Sequence, residues 1–204
     1  MNILSRFSLM TAFLAMAVGG CSLKQASPAK QTYLLEAVRD GEARSGGSGA
    51  VLRVREVHLA PAFEGRGFVY RTSEFGYKSD FYHEFLTAPR NLIAGQLQSW
   101  LSASKLFRGV VPLGASGEAT HVISANVSTL YGDFRDTSAP KAVLAVEFTA
   151  SRDGAGSEIL LHKAYRQEVA VTAPDAEALA KGWSTALVGI LGALEADMAT
   201  AQLK

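Results

Sequence analysis

HVISANVSTLY (residues 121–131), followed by KAVLAVEFTA (141–150) and ILLHKAYRQEVAV (159–171), decides the fold. Each segment places apolar side chains at every second position, the period of a strand with one face toward a core. Ile123, Ala125, Val127, Thr129 and Tyr131 line one face of the first. Leu144, Val146, Phe148 and Ala150 line one face of the second, and Ile159, Leu161, Tyr165, Val169 and Val171 are in phase on the third. One-sided alternation of this kind predicts an antiparallel sheet covered on one face only. Asp153-Gly154 supplies the hairpin loop between the last two strands.

Downstream lies the element that would cover the sheet. Thr172 and Asp175 have capping-box spacing, with Asp in place of the usual Glu. Leu179, Trp183, Leu187, Ile190, Leu191, Leu194 and Met198 then form one apolar stripe, and Gly182, Ala186, Gly189 and Ala193 a second stripe of small residues. The helix lacks the basic flank of a membrane-surface helix, so core packing is the expectation.

Upstream, Thr87-Ala88-Pro89 predicts a helix start with Thr87 as cap and Pro in the first turn. Ile93, Leu97, Trp100 and Leu101 share one face, and the helix ends near Ser104. Leu106 to Val111 reads as a short strand, followed by a turn-rich run to Thr120. Gly67 to Thr72 and Phe75 to Phe81 read as a hairpin turning at Thr72-Ser73-Glu74. Val51 to Leu59 reads as a strand whose parity changes between Leu52/Val54 and Val57/Leu59, which predicts a bulge near Arg55-Glu56. Thr32 to Ala37 reads as the first strand. The Gly/Ser-rich stretch from Arg39 to Ala50 reads as a loop: a phosphate cradle needs a helix after it, and here a strand follows. No internal repeat is present. Residues 32–204 are therefore expected to form a single α+β domain, two main helices packed on an antiparallel β-sheet.

Residues 1–20 carry the parts of an export signal: Arg6, an apolar run from Phe7 to Val18, then Gly19-Gly20. As a helix that run would span roughly 18 Å, short of the ~30 Å hydrocarbon core. Val18-Gly19-Gly20-Cys21 resembles a lipobox, with Val where Leu is usual. That resemblance makes 1–20 a lipoprotein signal peptide, Cys21 the acylated N-terminal residue, and 21–31 a polar tether containing Pro28. Cys21 is the only cysteine, so no internal disulfide can form. Ser22, rather than Asp, after the cysteine resembles the pattern that sends lipoproteins to the outer membrane of Gram-negative bacteria.

The chain has 204 residues, with 20 Lys and Arg against 19 Asp and Glu. Loss of Arg6 with the signal would leave the two signs equal, and no basic field to attract nucleic acid. Among His58, His83, His121 and His162, none has a second His or a Cys at metal-ligand spacing, and His83-Glu84 lacks the third member of a zinc-protease motif. His83 reads as a packed or hydrogen-bonded residue of an aromatic cluster, and His162 as solvent-facing. Ser48 and Ser116 lack the glycines of a nucleophile elbow. Asp133 and Asp136, with Arg135 between, read as a solvated turn. No catalytic, metal-binding or cofactor-binding residue is expected, and the chain does not read as an enzyme.

The order of features resembles the ABC-type transport auxiliary lipoproteins, the PqiC/YmbA-like group. The lipobox and tether lead to Tyr33-Leu34-Leu35, then to a strand ending in Leu59-Ala60-Pro61 and to Phe68-Val69-Tyr70-Arg71. An aromatic patch and helix follow from Phe81 to Leu101, closing on Leu106-Phe107 before the long strands and final helix. Phe81-Tyr82 and Phe85 stand where the family often has a Trp. The resemblance implies a non-catalytic, lipid-anchored protein on the periplasmic face of the outer membrane. It would serve an ABC permease, its ATPase and a mammalian-cell-entry (MCE) protein that together move phospholipid or other hydrophobic compounds, and a homo-oligomeric ring is compatible with that role. The alternative is a structural or assembly lipoprotein that binds another outer-membrane protein or peptidoglycan.

Overall fold

The computed structural model describes residues 29–43, 47–112, 114–154 and 158–201. Eight strands form one sheet: β1 (Gln31–Tyr33), β2 (Ser48–Leu59), β3 (Gly67–Arg71), β4 (Tyr77–Phe85), β5 (Phe107–Val111), β6 (His121–Asp133), β7 (Lys141–Arg152) and β8 (Ile159–Ala170). The helices are α1 (Pro89–Ser104) and α2 (Ala176–Thr200). Strand β6 is the hub. One of its edges pairs with β7 along its whole length, and β7 with β8. Its other edge is shared: the first half takes β2, with β5 beyond, and the last residues take β3, with β4 and β1 beyond.

The α+β class holds, and the long meander β6–β7–β8 and the β3–β4 hairpin are antiparallel as expected. The rest of the sheet is not: β1–β4, β2–β5, β2–β6 and β3–β6 are parallel pairs. Alternation records which face a residue occupies, and both pairing directions share that period. Parallel neighbours need crossovers, and α1 lies in the long connection between the parallel strands β2 and β5.

Bulges keep apolar side chains on the helix side. In β2 the register shifts between Val54 and Val57, and Arg55 and Glu56 both face solvent. A second shift lies in β6 between Val127 and Thr129. It overturns the uninterrupted phase expected there. Leu130, not Thr129, is buried against the core, and Gly132 faces Leu179 of α2. Tyr131 turns to the opposite face, where Phe63 and Tyr77 cover it. A third shift near the start of β8 leaves Ile159 63% exposed rather than in phase with Leu161.

Leu144, Val146, Phe148 and Ala150 of β7 lie under α2, whose stripe from Leu179 to Met198 is buried throughout. The small-residue stripe is only partly a packing surface: Gly182 and Ala186 are buried and Gly189 is exposed. Ile93, Leu97, Trp100 and Leu101 of α1 are buried over β2 and β5. Two expected caps move. Thr87 makes no cap; Ala88 precedes α1 without a side-chain bond, and Pro89 at the first position has no N–H that needs an acceptor. Asp175, not Thr172, caps α2, its carboxylate accepting from the Ala178 N–H at 2.8 Å.

After Tyr33 the chain leaves the sheet and crosses the two helices as an extended strap, so the expected strand to Ala37 is cut short. Its alternation survives because the groove between α1 and α2 also takes every second residue: Leu35 and Ala37 are buried, Leu34 and Val38 exposed. Side chains replace the ladder. The Glu36 N–H donates to Ser184 Oγ at 3.1 Å and the Ala37 N–H to Gln96 Oε1 at 2.9 Å. Further along, Arg39 donates through Nε and Nη2 to the buried Glu195 carboxylate at 2.8 and 3.0 Å, and Trp100 Nε1 donates to the same carboxylate at 2.9 Å. The strand β2 then starts at Ser48, three residues earlier than expected.

Removing one partner of this buried charge cluster is costly, so Glu195→Ala should lose about 3–5 kcal/mol in a urea titration. Two helical glycines should respond in opposite directions. A methyl at exposed Gly95 meets nothing within 4 Å, so Gly95→Ala should stabilise by about 1 kcal/mol. A methyl at Gly182 would stand 2.7 Å from Ala142 Cβ and 2.6 Å from Val171 Cγ1, so Gly182→Ala should lower the melting temperature despite the same helix propensity gain.

Candidate functional site

Cys21 and the greater part of the 21–31 tether lie outside the described residues; the structure begins at the tether's last residues. Where they enter the fold is informative. Strand β1 runs parallel to β4, with Gln31 beside His83 and Tyr33 beside Phe85. Chain leading back from Gln31 therefore passes the middle of β4. Lys30 sits there, its Nζ 4.6 Å from the centroid of the Phe81 ring and 3.3 Å from Glu84 Oε2.

The middle of β4 is not regular strand. Between Gly67↔Glu84 and Val69↔Ser79, two steps along β3 oppose five along β4. Asp80 to His83, which stand opposite Phe68 alone, form a bulge organised by one carboxylate. Asp80 Oδ1 accepts the backbone N–H groups of Tyr82 and His83 at 2.7 and 3.1 Å. Asp80 Oδ2 accepts Tyr70 Oη at 2.6 Å and faces His83 Nδ1 at 2.7 Å. Across the bulge, a Cβ on Gly67 would stand 2.6 Å from the Asp80 carbonyl oxygen, so this position admits only glycine without a shift.

Electrostatics follow from those contacts. Burial pushes the Asp80 carboxyl up, but the bonds from Tyr70, His83 and two backbone amides outweigh it and hold its pKa at about 2. Burial, then the bond to Asp80, pushes the Tyr70 hydroxyl above its usual range. Asp80 is therefore a fixed anion that shapes the bulge, and its lone pairs are taken up within it.

The bulge turns two rings outward. Phe81 is 68% exposed and Tyr82 37%, in edge-to-face contact with centroids 5.3 Å apart. Phe75, 87% exposed, lies at the hairpin tip between β3 and β4, beyond Phe81. Inward, the same region is anchored by an aromatic core. Phe68 meets Trp183 edge-on at 4.8 Å, Phe85 at 4.6 Å and Tyr33 at 5.2 Å. Trp183 Nε1 donates to the Tyr131 carbonyl at 3.2 Å. The outer rings thus sit on a rigid base.

The other residues singled out by sequence are scattered. His83 is a hydrogen-bonded member of the bulge, as expected. His162 is exposed, with Nδ1 3.0 Å from Thr149 Oγ1. His121 is buried; its Nδ1 lies 2.8 Å from Thr120 Oγ1, and burial followed by the charge of Arg152 pushes its pKa down. Asp133 is not in the solvated turn expected: it is the buried last residue of β6, held below the usual carboxylate range by Arg135, which donates to it at 2.6 Å, whereas Asp136 lies in the exposed turn that follows and accepts from Ser138. A cleft of about 640 Å³ is lined by Arg53, Arg55, Glu56, His58 and Ser124. Its cations are engaged: Arg53 donates to the Ala115 and Gly117 carbonyls, and Arg55 pairs with Asp153 at 3.4 Å. Among the described residues no group of three or more His, Cys, Asp or Glu is placed to hold a metal ion, and no helix is long and apolar enough to cross a membrane.

Sequence reading missed Asp80. Alternation suggested a plain strand through Phe81, whereas the carboxylate two residues before Tyr82 is the signature of an Asx turn that breaks the ladder. Since the folded-state pKa lies below that of the unfolded chain, the stability Asp80 confers is complete above pH ~4 and is lost as pH falls toward 2. Asp80→Asn should lose about 2 kcal/mol at neutral pH and show a flatter stability profile between pH 4 and 2, measured by urea unfolding.

Similar architectures are known. The crystal structure of protein XCC0632 from Xanthomonas campestris, of family DUF330, superposes with a TM-score of 0.68 at 10% identity, over 85% of this chain and 94% of that one. An uncharacterized protein of known crystal structure gives 0.67 at 15% identity, over 82% and 97%. Protein CT253 from Chlamydia trachomatis gives 0.52 at 11% identity, over 74% and 98%. At these identities the likeness is one of fold. No curated protein sequence is significantly similar to this chain. The model of the ABC-type transport auxiliary lipoprotein component family matches residues 33–193, from the last residue of β1 almost to the end of α2, and the chain belongs to that family.

Proposed function

We propose that the protein is a non-catalytic outer-membrane lipoprotein, held on the periplasmic face through acylated Cys21, that serves an ABC/MCE-type system moving phospholipid or other hydrophobic compounds between membranes. Family membership over residues 33–193 is the observation that carries this reading. Three features support it. The sequence before Cys21 has the form of a lipoprotein signal, and Ser22 favours outer-membrane sorting. The polar clusters at Asp80 and Glu195 are structural ties. Its outer surface presents exposed aromatic side chains suited to contact. In this reading the domain works by binding: it takes its place beside an MCE protein and the permease–ATPase pair, alone or as a ring of identical copies.

Cys21→Ser should move the protein from the outer-membrane fraction to the soluble periplasmic fraction. Mass spectrometry of the wild-type N-terminal peptide should show a triacylated Cys21. Crosslinking in intact cells followed by affinity purification should recover an MCE protein. Recovery of only a barrel protein or peptidoglycan fragments, with lipid traffic unchanged on deletion, would replace this reading with that of an assembly lipoprotein.

A further inference from the structure

We propose that the Phe81–Tyr82 pair, with Phe75 at the neighbouring hairpin tip, makes a second contact with the bilayer to which Cys21 is anchored, dipping aromatic rings into its headgroup region. The inference rests on the lipid-anchor reading of Cys21 and adds to it an orientation of the domain.

Distance is the first argument. Only nine peptide links separate Cys21 from Lys30, and Lys30 already lies on the Phe81 ring. Fully extended they reach roughly 30 Å; as a flexible linker their average span is about 16 Å. An acylated Cys21 therefore keeps these rings within one tether length of the membrane at all times. A weak apolar contact becomes an intramolecular one, with the raised effective concentration that short linkers give.

Direction is the second. Parallel pairing of β1 with β4 makes the chain before Gln31 leave toward Tyr82 and Phe81, and Phe75 lies beyond them on the same side. All three rings are at the end of the sheet from which the tether departs. Ile159, another exposed apolar residue, lies at the opposite end, where β7 passes into β8.

Chemistry is the third. Phe81 is apolar and Tyr82 amphipathic, the types that settle at a membrane interface. Lys30 holds its ammonium over the Phe81 ring and beside Glu84, so a cation accompanies the rings toward the headgroups. The bulge is fixed beforehand by the four contacts to Asp80, so insertion orders little that is not already ordered. A stable protein partner needs about 1,000 Å² of complementary surface, more than three rings provide, whereas an already tethered domain needs only a few.

The test uses the full lipidated chain in vesicles of phosphatidylethanolamine and phosphatidylglycerol at 3:1, with a fraction of acyl chains brominated. Trp100 and Trp183 are buried and set the wild-type baseline. Phe81→Trp should add emission that is blue-shifted and quenched at least twofold by brominated lipid, while Ile159→Trp should add emission that is not quenched. Absence of quenching for F81W in vesicle-bound protein overturns the proposal. A blue shift without quenching identifies a second copy as the occupant and overturns it equally. Failure of the wild-type chain to float with vesicles, together with an unmodified Cys21 by mass, defeats the anchor reading itself and this contact with it.

Discussion

One helix-covered face governs this fold. Helices α1 and α2 pack on one side of a single sheet, and the long strands present most of their apolar residues there, while Tyr131 and its cross-strand partner Val143 are buried on the other. Strand residues alternate strictly, so a run whose apolar positions change parity can comply only by inserting a residue. The sheet does so in β2 at Arg55-Glu56, in β6 beside Ser128 and in β7–β8 near Leu160. The β6 bulge has the widest effect. It brings Leu130 and Gly132 under α2, and it sends Tyr131 to the far side, where Arg71 and Tyr77 pack around its ring.

The bulge in β4 is of another kind. It is held by a half-buried anion rather than by apolar parity, and it interrupts the ladder to β3. Asp80 replaces those bonds with its own, and the aromatic core of Phe68, Phe85 and Trp183 holds the base still. The result is an aromatic, outward-facing feature beside Lys30 and Gln31.

The strap from Leu34 to Arg39 links this region to the remainder. It fills the groove between the helices with Leu35 and Ala37 and ends on the Glu195 carboxylate, which Arg39 and Trp100 share. The N-terminal stretch is thereby tied to both helices, where β1 alone contributes three residues of pairing.

Much of this was legible in the amino-acid sequence because it depends on local periodicity and chemistry. Alternation identified the three long strands, the stripes identified both helices, and the parity change in β2 located its bulge. The order of strands and helices pointed to the family. Pairing direction was not legible: four parallel pairs give the same alternation as antiparallel ones, and only the crossovers in space distinguish them. Caps at Ala88 and Asp175 rather than Thr87 and Thr172 were settled by where the chain enters each helix. The aromatic bulge was also decided by tertiary structure. Asp80 is an ordinary strand residue until Tyr70 and Gly67, from a neighbouring strand, close around it and leave its surplus residues nowhere to go but outward.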